Sequence, residues 1–175
     1  MKRSKLGQVW IETVIYTLIG LAIIGILLAV AKPKIDSMKD KTAIEQTIES
    51  LNNIDSKISE VQNSGSGNRR IADVKISKGY LVINASNDSI YWILDSSYEF
   101  SELGKETELG NLRALTTGPA SGPWKVRIQR DYAGINITSG GSDVVKQYDI
   151  APTDYYLFIA NSGVSNGKTI IDVSD

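Results

Sequence analysis

Residues 13–31 read TVIYTLIGLAIIGILLAVA, a run of 19 residues without a charged side chain. An α-helix needs about 20 apolar residues to cross the hydrocarbon core of a bilayer, so this run is long enough to span a membrane. Lys2, Arg3 and Lys5 precede it, and no later part of the chain has a comparable stretch. A basic stub followed by an apolar segment is typical of an export signal. The N-terminus is therefore predicted to direct the chain into a membrane.

Three interpretations of this N-terminal region compete. Ala29 and Ala31 would suit a conventional cleaved signal peptide, but the apolar run exceeds the usual length of about 7–15 residues and Pro33 would follow the cut closely. A plain membrane anchor explains the length and leaves Glu12 unexplained, since an ionisable group at an apolar boundary normally has a partner or a role. The third interpretation takes the basic stub, the glycine and the glutamate together.

In this third interpretation the chain reads KLG followed by QVWIE, with cleavage between Gly7 and Gln8 and with Glu12 as the fifth mature residue. This resembles the class III signal of type IV pilins and pseudopilins, and the amino-acid sequence of the segment is most similar to that of archaeal members. The resemblance covers residues 1–60 and departs from the bacterial pattern at Gln8, which is not aromatic, and at Pro33, which lies late. It implies a leader of residues 1–7 and a retained helix over residues 8–63.

The resemblance also implies how the chain works. Cleavage would free an α-amino group on Gln8, and this cation would pair with Glu12 of a neighbouring copy, which lowers the cost of placing a carboxylate in apolar surroundings. The alternative is that Glu12 lies at the lipid interface, favoured by the positive end of the helix dipole.

The implied function is that of a structural subunit of an extracellular type IV pilus-like filament, inserted in the membrane first and displayed on the cell surface later. The implied partners are other copies in a helical filament, membrane lipid before assembly, a prepilin peptidase, and an assembly ATPase with its membrane platform. The alternative function is a single-pass, membrane-anchored surface binding module that does not polymerise.

The rest of the chain predicts an α+β fold, with the second half of the long helix packed on an antiparallel sheet. An apolar stripe at helical spacing favours the helix, SGSGNRR at residues 64–70 predicts a linker, and residues 71–175 predict a β-rich head. Residues 101–122 are ambiguous and can form a short helix before a loop. The stripe consists of Ile44, Ile48, Leu51, Ile54, Ile58 and Val61. The predicted strands are 71–76, 80–84, 90–94, 124–129, 155–160 and 169–173.

Composition excludes several classes of function. The 175 residues contain no histidine and no cysteine, which removes catalytic triads, zinc fingers and disulfide frameworks. The net charge of −1 provides no field for collecting nucleic acid. We therefore expect no enzyme, no cofactor, no metal and no nucleic-acid partner.

Three further motifs have modest interpretations. Gly167-Lys168-Thr169 resembles the end of a phosphate-binding loop, but the earlier glycine is missing and a turn at Asn166-Gly167 between two strands is favoured. A strip of basic and aromatic residues is interpreted as a solvent-facing strand edge; it comprises Trp124, Lys125, Arg127, Arg130 and Tyr132. The candidate N-glycosylation sites are the three sequons at Asn84, Asn87 and Asn136.

Overall fold

The computed structural model describes the backbone from Lys5 to Asp175 and the side chains from Val9 onward. Most of the predicted leader, residues 1–4, and the side chain of Gln8 lie outside the described residues. Helix α1 spans Lys5–Ser64 and contains Pro33. The helix that the sequence implies over residues 8–63 therefore continues through this proline. The helix ends at Ser64, and the following Gly65 has a φ of 83°, the left-handed conformation that commonly stops a helix.

Ten strands and one short 3₁₀ helix follow, and the α+β fold predicted from the sequence is confirmed. The 3₁₀ helix is Ala85–Asn87. The strands are β1 Arg69–Val74, β2 Tyr80–Asn84, β3 Ser89–Ser96, β4 Glu106–Leu109, β5 Leu112–Thr117, β6 Trp124–Asp131, β7 Ile135–Thr138, β8 Val145–Tyr148, β9 Tyr155–Ser165 and β10 Lys168–Ser174.

The strands form two sheets. One has the order β1-β9-β10-β7 and the other β4-β5-β6-β3-β2-β8. Neighbouring strands are antiparallel, except that β10 pairs with β7 in parallel. The sheets are thus mostly rather than wholly antiparallel.

The chain divides into two units between Met38 and Lys39. In the N-terminal unit the large apolar side chains from Val9 to Met38 are all exposed, with fractions between 38% at Val14 and 72% at Tyr16. Apolar side chains therefore surround the helix, and no single face of it is reserved for a core.

The C-terminal unit has a core made by the remainder of α1 and both sheets. Within the predicted stripe, five side chains are fully buried and Ile48 is partly buried. They share one apolar cluster with strand residues such as Trp92, Ile128 and Leu157. Burial of each such side chain contributes about 1.5–3 kcal/mol, so the stripe fixes the helix to the sheets.

Two local predictions, a turn at Asn166-Gly167 and a short helix within residues 101–122, have different outcomes. Asn166 and Gly167 have φ values of 52° and 78° between β9 and β10, as a two-residue hairpin turn requires, so that prediction is confirmed. The short helix suggested for residues 101–122 is wrong, because β4 and β5 form a hairpin there. Leu112, Ala114 and Thr116 are buried in alternation, and this period of two is that of a strand.

Candidate assembly segment

The apolar part of α1 is the candidate site of assembly. By length and composition it is a helix able to cross a membrane, with a mean hydropathy of 2.7 over its most apolar window and none of that window buried. Transfer of such a window from water into lipid, or to a place among apolar helices, lowers its free energy.

Two threonines in this segment satisfy their own polarity. The hydroxyl of Thr13 donates to the carbonyl oxygen of Val9 at 2.9 Å, and that of Thr17 donates to the carbonyl oxygen of Thr13 at 2.8 Å. Such bonds to the preceding helical turn remove the need for water. The threonines are therefore compatible with apolar surroundings.

Two glycines lie on the same segment. A Cβ placed on Gly20 or on Gly25 would have no neighbouring atom within 4 Å. Packing within the described chain therefore gives no reason for a glycine at either position. Small residues allow the backbones of two membrane helices to approach closely, and both positions are open to such an approach.

The predicted cleavage and pairing residues belong to the same helix. Gly7 and Gln8 lie within its backbone, and the side chain of Glu12 is exposed. The predicted ion pair joins two copies of the chain, so both the cleavage site and the pair remain predictions.

A buried carboxylate holds the beginning of the C-terminal unit to its sheet. Asp40 Oδ2 accepts hydrogen bonds from the backbone N–H of Ser97 at 2.7 Å and from its hydroxyl at 2.8 Å, and Oδ1 pairs with Lys78 Nζ. Burial alone would raise the pKa of Asp40, but the bonds from Lys78 and Ser97 outweigh it and hold the pKa below its ordinary value. Asp40 is therefore ionised at neutral pH.

A second buried carboxylate lies four turns further along the helix. Asp55 accepts a hydrogen bond from Arg130 Nε at 2.8 Å and one from Asn111 Nδ2 at 3.2 Å. Burial, with the nearby charge of Asp55 as a second cause, raises the pKa of the Tyr132 hydroxyl. These contacts fix the polar end of β6 to the helix.

Sequence reasoning missed both carboxylates, although a signal was present. Asp40, Thr47 and Asp55 fall at helical spacing on the face of the apolar stripe, and all three are buried. A polar residue on a buried face requires a hydrogen-bonding partner. Extending the stripe to its polar members would have located these contacts.

The predicted basic strip does not form one surface. Strand β6 pairs with β3 and β5 and is not an edge strand, so that interpretation is corrected. Because side chains alternate between the faces of a strand, the guanidinium of Arg127 stacks on Tyr91 at 4.0 Å on one face, whereas Arg130 reaches Asp55 on the other. Lys125 pairs with Asp95 at 2.7 Å. The charged groups of Arg127, Arg130 and Lys125 therefore make their contacts within the head.

The three sequons differ in accessibility. Asn87 is exposed at the end of the 3₁₀ helix, whereas Asn84 and Asn136 are half-buried on strands. The side-chain oxygen of Asn84 is itself buried. Modification at any of them remains a prediction, and Asn87 offers the best access in the folded chain.

Comparison of the chain with protein-family models, with curated proteins and with solved structures finds no match in any of the three.

Proposed function

We propose that this protein is a structural subunit of an extracellular type IV pilus-like filament, assembled through its apolar N-terminal helix after removal of a class III leader. The observation that carries the proposal is the exposure of every large apolar side chain between Val9 and Met38. Lipid covers this surface in the precursor, and the helices of other copies cover it in the filament. The resemblance of residues 1–60 to pilins, most closely to archaeal ones, supports the same assignment.

The energetics of assembly follow from the change of surroundings. Apolar side chains gain little when they leave lipid for other helices, since both surroundings are apolar. Close packing and polar pairing must therefore provide the driving force. Gly20 and Gly25 allow close approach, and Glu12 paired with the freed amine of Gln8 in a neighbouring copy sets the stagger between helices. Extraction from the membrane requires the assembly ATPase and its platform.

The first experiment measures the mature N-terminus. The chain is produced together with a prepilin peptidase, and intact mass spectrometry of the membrane fraction is compared with that of a Gly7→Leu variant. We expect the wild-type product to begin at Gln8 and the variant to keep its leader. A product that begins at Met1 or at Lys32 contradicts the proposal.

The second experiment separates filament formation from simple anchoring. In a host that carries the assembly machinery, Glu12→Ala is expected to abolish or strongly reduce filaments seen by electron microscopy. Glu45→Ala is the matched control, because Glu45 is an exposed glutamate on the same helix. Normal filaments from Glu12→Ala would remove the pairing role. A processed wild-type chain that stays single in the membrane would favour the non-polymerising binding module.

A further inference from the structure

A polar groove of about 640 Å³ lies in the C-terminal unit, between α1 and the chain around the end of β1. Its volume falls in the range of about 300–1,000 Å³ that is usual for ligand sites. The helix contributes residues at helical spacing, so that one face of α1 forms a wall. All seven lining side chains carry hydrogen-bonding groups; they are Gln46, Glu49, Ser50, Asn53, Asp73, Lys75 and Ser77.

These side chains differ from the buried carboxylates of the same unit in having no partner. Among the described residues, none of the seven takes part in a side-chain hydrogen bond or an ion pair. Glu49, Asp73 and Lys75 line one groove with opposite charges and yet form no salt bridge, whereas Asp40 and Asp55 on the same helix are fully paired. The donors and acceptors of the groove are thus available to a ligand.

We propose that this groove binds a neutral oligosaccharide. Sugar hydroxyls both donate and accept hydrogen bonds, and the groove offers two carboxylates, two amides, two hydroxyls and one ammonium group. Two acids against one cation disfavour a polyanion, and the absence of apolar side chains from this lining disfavours a hydrophobic ligand. The chemistry that remains is that of an uncharged, polyhydroxylated chain.

An aromatic side chain lies beside the groove. Tyr156 is the cross-strand neighbour of Asp73 in the pairing of β1 with β9, and 60% of its surface is exposed. Tyrosine combines an apolar ring with a polar hydroxyl, which suits the mixed surface of a sugar ring. Asp73 and Tyr156 together extend the binding surface from the groove onto the sheet.

The inference concerns the C-terminal unit alone and does not depend on filament assembly. Binding is measured on the full chain in detergent micelles, by titration calorimetry with maltohexaose, chitohexaose and mannohexaose as probes. We expect saturable binding of at least one probe in the millimolar range or tighter. The double variant Asn53→Ala/Asp73→Ala removes groups from both walls and is expected to weaken that binding at least about tenfold, since each lost hydrogen bond leaves a group of the ligand unpaired.

Asn63→Ala/Asp154→Ala serves as the matched control, because both residues are exposed and lie outside the groove. It is expected to bind as the wild type does, with the same Tm. Gln46→Ala/Lys75→Ala tests the groove independently if the first variant fails to fold. The proposal is overturned if no probe binds to the wild type at millimolar concentration, or if folded groove variants bind as tightly as the control.

Discussion

The two halves of helix α1 carry similar apolar residues and expose them very differently. Ile24 in the first half is 54% exposed, whereas Ile54 in the second half is 0% exposed. In residues 13–31 apolar side chains point in every direction, while in residues 44–61 they form one stripe with polar residues opposite. The arrangement of apolar residues, more than their number, thus decides whether this chain can cover them itself.

The two halves of the helix also contribute to different properties of the protein. The second half contributes to the stability of the head, because its stripe belongs to the core. The first half contributes no buried apolar side chain to the described chain, and under the proposal above lipid and then other copies cover it. Substitutions of the same kind in the two halves should therefore affect different properties.

The largest expected effect comes from a matched pair of isoleucines. Ile54→Ala is expected to lower the free energy of unfolding of the head by about 2–5 kcal/mol, because it removes buried methyl groups and leaves a cavity. Ile24→Ala is expected to leave the stability of the head unchanged. Chemical denaturation of the full chain in detergent, followed by tryptophan fluorescence, to which the buried Trp92 contributes, measures both. Equal effects of the two substitutions would contradict the division of the helix into an exposed and a buried half.

The next test concerns Gly79, in the connection between β1 and β2. Gly79 has a φ of 74°, and a Cβ there would lie 2.1 Å from the carbonyl oxygen of Ile93. Because that atom belongs to a paired strand, it cannot move aside cheaply. Gly79→Ala is expected to cost about 2–4 kcal/mol from backbone strain and overpacking together.

Gly134 provides the control for this substitution. It lies in the same unit, and a Cβ there would meet nothing within 4 Å. Gly134→Ala is therefore expected to shift the Tm little, as thermal unfolding followed by circular dichroism would show. A tolerated Gly79→Ala would mean that the turn is less tightly held than its contacts with Ile93 indicate.

Sequence patterns located the features that repeat along the chain. The uncharged run is helical, the apolar stripe belongs to the core, and the strand predicted at residues 124–129 lies within β6. The hairpin at Asn166-Gly167 was also predictable, because its turn residues are specific. Local chemistry was sufficient for these elements.

The remaining features depend on contacts between distant residues. The parallel pairing of β7 with β10 joins segments more than 30 residues apart, and the division of the strands into two sheets also depends on distant pairings. No local pattern in the sequence encodes such pairings. The hairpin of β4 and β5 was missed because ELGKETELGNLRAL is rich in helix-forming residues, and tertiary pairing outweighs such a weak preference. The groove was missed because its two walls come from a helix and a strand end.

A smaller effect is expected where the helix meets the head through a polar contact. Asp40→Asn removes the charge that Lys78 and the two donors of Ser97 stabilise, and it is expected to cost about 1.5–3 kcal/mol at neutral pH. The folded state holds the pKa of Asp40 below its ordinary value of 3.8, so the carboxylate stabilises the fold above that pH and the benefit is lost as pH falls through the folded pKa.

The pH dependence provides the check on this contact. Unfolding free energies of the wild type and of Asp40→Asn are compared from pH 7 down to pH 3. The gap between them should be constant from pH 7 to about pH 5 and should narrow below about pH 4. A gap that does not change with pH would show that the lost contribution is steric and not ionic.

The smallest effect is expected at Glu60, whose ion pairs lie at the surface of the same helix. Its carboxylate pairs with Lys57 Nζ at 2.9 Å and with Arg70 Nε at 3.2 Å, and its side chain is 41% exposed. The hydrogen bond from Lys57 is the main cause that lowers the pKa of Glu60, so the sign of its pH dependence is the same as that of Asp40. Solvent screens these charges, and holding two long side chains in one geometry costs conformational entropy, so an exposed pair of this kind adds little to stability. Glu60→Gln should therefore shift the midpoint of denaturation less than Asp40→Asn does. High salt should further shrink the shift of the midpoint caused by Glu60→Gln, while leaving most of the effect of Asp40→Asn. Equal shifts of the midpoint for the two variants would indicate that burial is not what distinguishes the contacts along this half of the helix.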